Sequence, residues 1–112
     1  MEIKEFQESG YITLLPVGDL DAQSSIDMDS CMRRHIDGGN VKLHIDGSRL
    51  AYISSAGLGV FISHLDEVES AGGQLVFSSL SEEVKDVFDL LGLSRLVTIV
   101  NKSEAAAPLF ES

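Results

Sequence analysis

The chain has 112 residues, of which 18 are Asp or Glu and 8 are Lys or Arg, so its formal net charge is −10 at pH 7. This excess of negative charge repels phosphate backbones and anionic headgroups, which argues against partners made of nucleic acid and against direct membrane insertion or surface binding. The length fits one domain over residues 1–112, and a hydrophobic content of 44% is enough to fill a core.

The first part of the chain predicts two strands and a helix. Residues 3–17 alternate loosely between apolar and polar, and Ser9-Gly10 interrupts them, which is typical of two short strands joined by a tight turn. A turn is expected at Gly18–Asp21. Apolar residues then recur at helical spacing until Gly38-Gly39 ends the pattern. They are Ala22, Ile26, Cys31 or Met32, and Ile36.

The middle of the chain predicts a strand, a loop and a second helix. Residues 41–46 alternate with period two, which indicates a strand with one face on the core, and residues 47–50 are expected to form a loop. Residues 53–59 lead into a helix that ends at Gly72-Gly73. Its apolar face is predicted from five residues: Leu58, Phe61, Ile62, Leu65 and Val68.

The last part of the chain repeats this alternation. Residues 74–78 indicate a strand, and Ser81 is the expected N-cap of a third helix that ends at Gly92. The apolar stripe of that helix is Val84, Val87, Phe88 and Leu91. A short strand at 96–100 and a helix-like tail at 104–110 follow. Strands that alternate with helices predict a single α/β domain, a mixed sheet of four to five strands with helices packed on it.

Residue usage argues against several kinds of site. Cys31 is the only cysteine, so neither an intramolecular disulfide nor a zinc site with several thiolates is expected. The three histidines are scattered without i, i+4 spacing, which argues against a histidine metal site. No cofactor is indicated. Residues 1–5 do not resemble a signal peptide, and no apolar run reaches the roughly 18–20 residues of a membrane span, so a cytoplasmic protein is expected.

Enzymatic motifs are equally weak. Gly57-Leu58-Gly59 lacks the third glycine of a dinucleotide-binding loop and the Gly-Lys-Ser/Thr ending of a P-loop. The serine-rich segment lacks the Gly-x-Ser-x-Gly spacing of a nucleophile elbow, and nothing identifies a histidine to serve as its base. The chain is therefore not expected to be an enzyme, and nucleotide binding is kept only as a minor alternative.

The segment Ser54–Gly59 is the feature that bears on function. It places small hydroxyl residues at the predicted start of a helix, where free N–H groups and the positive end of the helix dipole favour a phosphate. The plainer interpretation is that these serines cap the helix. The two glycines likewise have a plain role, since glycine allows a helix to approach a neighbouring strand closely.

Four segments in order resemble the STAS domain family of bacterial anti-sigma factor antagonists. Residues 53–60 resemble the family's phosphoacceptor segment, usually Asp-Ser-Ser/Thr-Gly-Leu-Gly, and residues 18–21 resemble its Gly-Glu-Leu-Asp turn. Residues 72–75 resemble the glycine pair before a strand, and residues 84–93 resemble a helix that ends in Gly-Leu. The resemblance covers nearly the whole chain.

The resemblance implies a phosphorylation site and a partner surface. It aligns the family's phosphorylated serine with Ser55 and the family's Asp with Ser54, which makes Ser54 a second candidate. The implied partner-binding residues are Asp21, Ser54, Ser55, Ala56, Gly57 and Leu58. For Asp21, the role of N-cap of the first helix is an alternative of equal weight to partner binding.

By resemblance, the unmodified domain binds an anti-sigma factor that is also a serine kinase and so releases the sigma factor. Phosphorylation ends that complex, and a serine phosphatase restores it. The domain is then a substrate and not a catalyst. The alternative within the same family is a scaffold subunit of a transporter or sensory complex, in which the serine is only a cap.

Overall fold

The structure is a computed structural model that describes residues 1–111. Its strands, in chain order, are β1 (Glu2–Gln7), β2 (Ile12–Leu20), β3 (Lys42–Asp46), β4 (Leu50–Ile53), β5 (Gln74–Ser78) and β6 (Thr98–Val100). Its α-helices are α1 (Ser24–Asp37), α2 (Ser55–Ser70) and α3 (Glu82–Leu90). Short 3-10 helices follow at Leu93–Arg95, Ser103–Ala105 and Ala107–Phe110.

The six strands form one mixed sheet in the order β1-β2-β3-β5-β6, and β4 pairs with β2 beside that path. β1 runs antiparallel to β2, and the other pairs are parallel. The predicted α/β fold is confirmed, with one strand more than the largest number expected. The additional strand is β4, which overlaps the predicted loop at 47–50 only at Leu50 and continues through residues to which the sequence assigns no element. Its four residues read buried, exposed, exposed, buried, so they lack the alternation that identifies a strand.

β2 is longer than the sequence predicts, because it continues through the expected turn at Gly18–Asp21 as far as Leu20. The pairing with β4 shifts register between Gly18 and Asp19, and Gly18 has a φ of +104°. The glycine therefore forms an irregularity within a strand instead of ending it. As a result β2 pairs first with β3, through residues 12–14, and then with β4, through residues 18–20.

The helices cover one face of the sheet. Phe77 of β5 lies between Phe61 of α2 and Phe88 of α3, with ring centroids 4.8 and 5.0 Å apart and both contacts edge-on. The opposite face is covered by the C-terminal tail, where Phe110 stacks on Tyr11 with centroids 4.6 Å apart. The tail forms two 3-10 helices and not the single helix-like segment expected at 104–110.

The predicted helix faces are confirmed at most positions and wrong at four. Ala22 is exposed and lies before α1 begins at Ser24. Ile26, Ile62 and Leu91 are exposed, although each lies at the spacing of its helix's apolar stripe. In α1 both Cys31 and Met32 are buried, so the buried face passes on the other side of the helix from Ile26. The last strand is also shorter than the predicted 96–100, since Leu96 and Val97 belong to the turn that precedes it.

Candidate functional site

The start of α2 follows directly on the end of β4, and Ser54 is the residue at which the chain changes from strand to helix. Ser54 has extended backbone, with φ −93° and ψ 172°. Its Oγ accepts a hydrogen bond from the N–H of Gly57 at 3.2 Å, and its own N–H donates to the carbonyl of Leu20 at 2.9 Å. Ser54 is therefore the N-cap of α2, and it also ties this helix to the end of β2.

Ser55 is the first residue of α2, and its environment differs from that of Ser54. Ser55 and Ala56 are exposed, whereas Ser54 is half-buried. Within residues 1–111 the Ser55 hydroxyl makes no hydrogen bond. The fold thus uses one serine of the pair for capping and leaves the hydroxyl of the other exposed, with no hydrogen bond to residues 1–111.

The two residues after Ala56 lie behind this surface. Gly57 is buried, and a Cβ at this position would lie 2.8 Å from Cγ of Leu20 and 3.0 Å from Cγ1 of Ile53. Leu58 is only 1% exposed and belongs to the core. Of the predicted partner-binding residues on α2, only Ser54, Ser55 and Ala56 present surface, and Gly57 and Leu58 hold that surface against the sheet.

Gly57 and Gly59 differ in what they do. The close contact of α2 with β2 and β4 explains why position 57 has no side chain. A Cβ at Gly59 would meet nothing within 4 Å. The close-approach interpretation is therefore confirmed for Gly57 and wrong for Gly59.

Asp21 lies one residue beyond Leu20, at the same edge of the sheet as Ser54. Its Oδ1 accepts from the N–H of Ser24 at 2.9 Å, from the hydroxyl of Ser24 at 3.0 Å and from the N–H of Gln23 at 3.0 Å. These bonds hold the pKa of the Asp21 carboxyl below its usual value, and the bond from the Ser24 N–H has the largest effect. Gln23 and not Asp21 occupies the N-cap position of α1, yet the Asp21 carboxylate bonds the free N–H groups as a cap does.

The first turn of α2 carries no acidic residue, in contrast with that of α3. α3 is capped by Ser81, whose Oγ accepts from the N–H of Val84 at 3.2 Å, as predicted. Glu82 and Glu83 then occupy its first turn. Because the N-terminus of a helix favours negative charge, the start of α3 is already compensated by side chains and the start of α2 is not.

Sequence reasoning missed one exposed aromatic residue in the strand that leads to α2, Tyr52. It lies in β4, opposite Asp19 in the pairing with β2, and is 52% exposed. It borders a cavity of about 200 Å³ between β4 and α3, with Val84 and Val87 on the far wall. The exposed ring lies three residues before Ser55 in the chain. No pattern identified it, because the predicted loop ends at residue 50 and the sequence assigns no element to residues 51 and 52.

Among the helices of residues 1–111, none combines the length and the apolar character that crossing a membrane requires.

Several known proteins and one family of domains are similar to this chain. The model of the STAS domain matches residues 4–106. The chain is 30% identical over 95 residues to BtrV, a candidate anti-sigma factor antagonist of Bordetella bronchiseptica, and this match covers 85% of the chain and 82% of BtrV. A crystal structure of a candidate anti-sigma factor antagonist from Thermotoga maritima superposes with a TM-score of 0.91 at 23% identity, over 96% of this chain and 93% of that one.

SpoIIAA, a Bacillus cell fate determinant, has a similar fold at a TM-score of 0.75 in both its unphosphorylated and its phosphorylated form. The unphosphorylated form is 16% identical to this chain, and the match covers 96% of this chain and 94% of that one. The phosphorylated form is 18% identical, and the match covers 96% of this chain and 99% of that one. The family model spans most of the chain, and the fold agrees with that match. The chain belongs to the STAS domain family.

Proposed function

We propose that this protein is an anti-sigma factor antagonist that is switched off by phosphorylation of Ser55. The observation that carries the proposal is the contrast within the serine pair. Ser54 is engaged as the N-cap of α2, and Ser55 is exposed with an unbonded hydroxyl. The curated relative named as an anti-sigma factor antagonist supports the partner class.

Ser55 is preferred over Ser54 as the phosphate acceptor on structural grounds. The Oγ of Ser54 accepts a hydrogen bond from the N–H of Gly57 at 3.2 Å. A phosphate on Ser54 would therefore remove the cap of α2, and it would have to fit into a half-buried position. A phosphate on Ser55 requires no such rearrangement. It would stand at the N-terminus of a 16-residue helix, where the backbone dipole favours an anion.

The fold would then tolerate the modification while a partner would not. A phosphoserine adds about −1.5 to −2 charges at pH 7. A partner packed closely on Ser54, Ser55 and Ala56 would have to strip water from that phosphate or withdraw. A coupling of about 2–3 kcal/mol between phosphate and partner corresponds to a roughly 30- to 150-fold loss of affinity.

The partners in this scheme are an anti-sigma factor that is also a serine kinase, and a serine phosphatase that removes the phosphate. The protein acts in the cytoplasm by being bound, and the catalysis belongs to its partners. Asp21 contributes to the contacted surface from the end of β2, since Ser54 is hydrogen-bonded to Leu20 beside it.

The test uses the purified chain with a serine kinase of the anti-sigma class from the same cell and ATP. Intact mass should increase by one phosphate in the natural protein and in Ser54→Ala, and should not change in Ser55→Ala. Calorimetry should show binding of the kinase by Ser55→Ala and none by Ser55→Asp. If Ser55→Asp binds as well as the natural protein, the switch is wrong and a constitutive STAS scaffold is the better interpretation.

A further inference from the structure

A cluster of three metal-ligating side chains lies away from the Ser55 surface, between β1 and α1. Donor atoms of Glu5, Cys31 and His35 all lie within 4.8 Å of one another. Cys31 and His35 are four residues apart on α1, so they lie on one face of the helix. Glu5 comes from β1, which places a carboxylate, a thiol and an imidazole together across two elements.

The distances within the cluster are close to those that a tetrahedral ion requires, without matching them. Zn²⁺ binds sulfur at about 2.3 Å and nitrogen or oxygen at about 2.0–2.2 Å, so two ligand atoms of one ion lie about 3.3–3.8 Å apart. At present Glu5 Oε1 and His35 Nε2 are 2.7 Å apart, close enough for a hydrogen bond. Shifts of about 1 Å in the exposed Glu5 and the half-buried His35 side chains would bring their donor atoms and the buried Cys31 sulfur onto one ion.

The setting of Cys31 supports a ligand role. The residue is 6% exposed, and the one hydrogen bond that its Sγ makes within residues 1–111 is accepted from Arg34 at 3.8 Å. Glu5 and Cys31 line a cleft of about 600 Å³ that is open to solvent, so an ion and a fourth, water ligand have access. Cys31 thus belongs to the core and also lines this cleft, so its sulfur is within reach of an ion that enters from solvent.

Arg34 is the competitor for this site. Its Nη2 donates to Glu5 Oε2 at 2.7 Å, and its side chain is 61% exposed. An entering ion would replace this guanidinium as the positive partner of Glu5, and Arg34 can withdraw into solvent because nothing encloses it. Exposed ion pairs of this kind contribute little to stability, so their loss does not prevent the exchange.

We propose that Glu5, Cys31 and His35 form a binding site for a borderline divalent ion of the Zn²⁺ class, with water in the fourth position. Thiolate, imidazole and carboxylate together favour Zn²⁺ over Mg²⁺ or Ca²⁺, which prefer oxygen ligands alone. Binding displaces the S–H proton of Cys31, and the ring proton of His35 moves to Nδ1 so that Nε2 coordinates. The ion joins the edge strand β1 to α1.

Burial raises the pKa of the Cys31 thiol to about 11, with Glu5 adding to the effect and Arg34 opposing it.

The experiment titrates the full chain, kept reduced, with Co²⁺ and follows the near-ultraviolet thiolate-to-cobalt charge-transfer band. Zn²⁺ should then displace Co²⁺ and should raise the melting temperature of the natural protein. Glu5→Gln, Cys31→Ser and His35→Gln should each weaken Zn²⁺ binding by at least the roughly 10- to 100-fold that loss of an outer-shell partner costs. Arg34→Gln should tighten it, which a merely structural ion pair would not do.

Glu2→Gln is the matched control, because it removes the same charge from the same strand at a position outside the cluster. Its Zn²⁺ affinity should equal that of the natural protein. Cys31→Ser changes a buried residue, so Glu5→Gln and His35→Gln decide the result if that variant is unstable. Absence of the charge-transfer band, or equal Zn²⁺ affinity in the natural protein and in these two variants, would overturn the proposal.

Discussion

The backbone N–H of Ser54 donates to the carbonyl of Leu20 across 2.9 Å, and this bond joins the start of α2 to the end of β2. It explains why two segments far apart in sequence form one surface. Asp21 follows Leu20 at the beginning of the α1 turn, and Ser55 follows Ser54 at the beginning of α2. The proposed partner surface is therefore organised by main-chain contacts, and side-chain changes there should alter binding with little effect on the fold.

The serine pair should separate stability from binding. Replacement of Ser54 by Ala removes the cap of α2 and should lower the free energy of unfolding by about 1 kcal/mol, a typical value for an N-cap serine. Ser55→Ala should change it by less than about 0.5 kcal/mol, as for other exposed sites. Urea unfolding of both variants measures the difference. Equal losses would contradict the assignment of capping to Ser54 alone.

The two glycines of α2 should respond in opposite directions to the same substitution. Gly57→Ala forces a Cβ to within 2.8 Å of Leu20 and should destabilise the protein by about 1–3 kcal/mol, the usual cost of overpacking. Gly59→Ala meets open space and should stabilise α2 by up to about 1 kcal/mol through helix propensity. Thermal or urea unfolding tests both. A stabilised Gly57→Ala would mean that α2 and β2 separate easily.

A buried polar chain crosses three strands beneath the C-terminal tail and should make stability depend on pH. His44 is 1% exposed, with Nδ1 at 2.9 Å from Thr13 Oγ1 and Nε2 at 2.7 Å from Ser78 Oγ. Burial lowers the pKa of His44, while Asp46 and Glu8 partly oppose this shift. The unfolded chain therefore takes up a proton first as the pH falls.

The free energy of unfolding should consequently decrease as the pH falls below about 6.5, the ordinary histidine pKa, until His44 is protonated in the folded chain as well. Urea unfolding at several pH values measures the slope, and His44→Gln should flatten it. The lowered pKa values of Glu5, Asp21 and Glu67 act in the same direction, but only at lower pH, where carboxylates titrate. A slope unchanged in His44→Gln would contradict the assignment.

The C-terminal tail should contribute to stability through one aromatic contact. Phe110 is 5% exposed and stacks on Tyr11, and Lys42 Nζ donates to the Phe110 carbonyl at 3.3 Å. Phe110→Ala should lower the free energy of unfolding by about 3 kcal/mol, near the lower end of the range for buried Phe, since it belongs to a small cluster. Leu109→Ala, at an exposed neighbour, is the control and should cost much less. Equal effects would mean that the tail does not pack as a unit.

The sequence by itself determined the alternation of strands and helices, the cap at Ser81 and the serine segment at the start of α2. These features depend on local periodicity and on hydroxyl groups beside free N–H groups, which adjacent residues specify. Family resemblance added the distinction between Ser54 and Ser55 as candidate acceptors.

Only the tertiary structure decided the features that join distant segments. β4 is a strand because β2 continues past Gly18 to pair with it, and Gly57 lacks a side chain because Leu20 and Ile53 occupy the space. Likewise, Glu5 lies beside Cys31 and His35 because β1 folds back against α1, a contact between residues 26 or more positions apart. Such contacts depend on packing between elements, which no local pattern in the chain specifies.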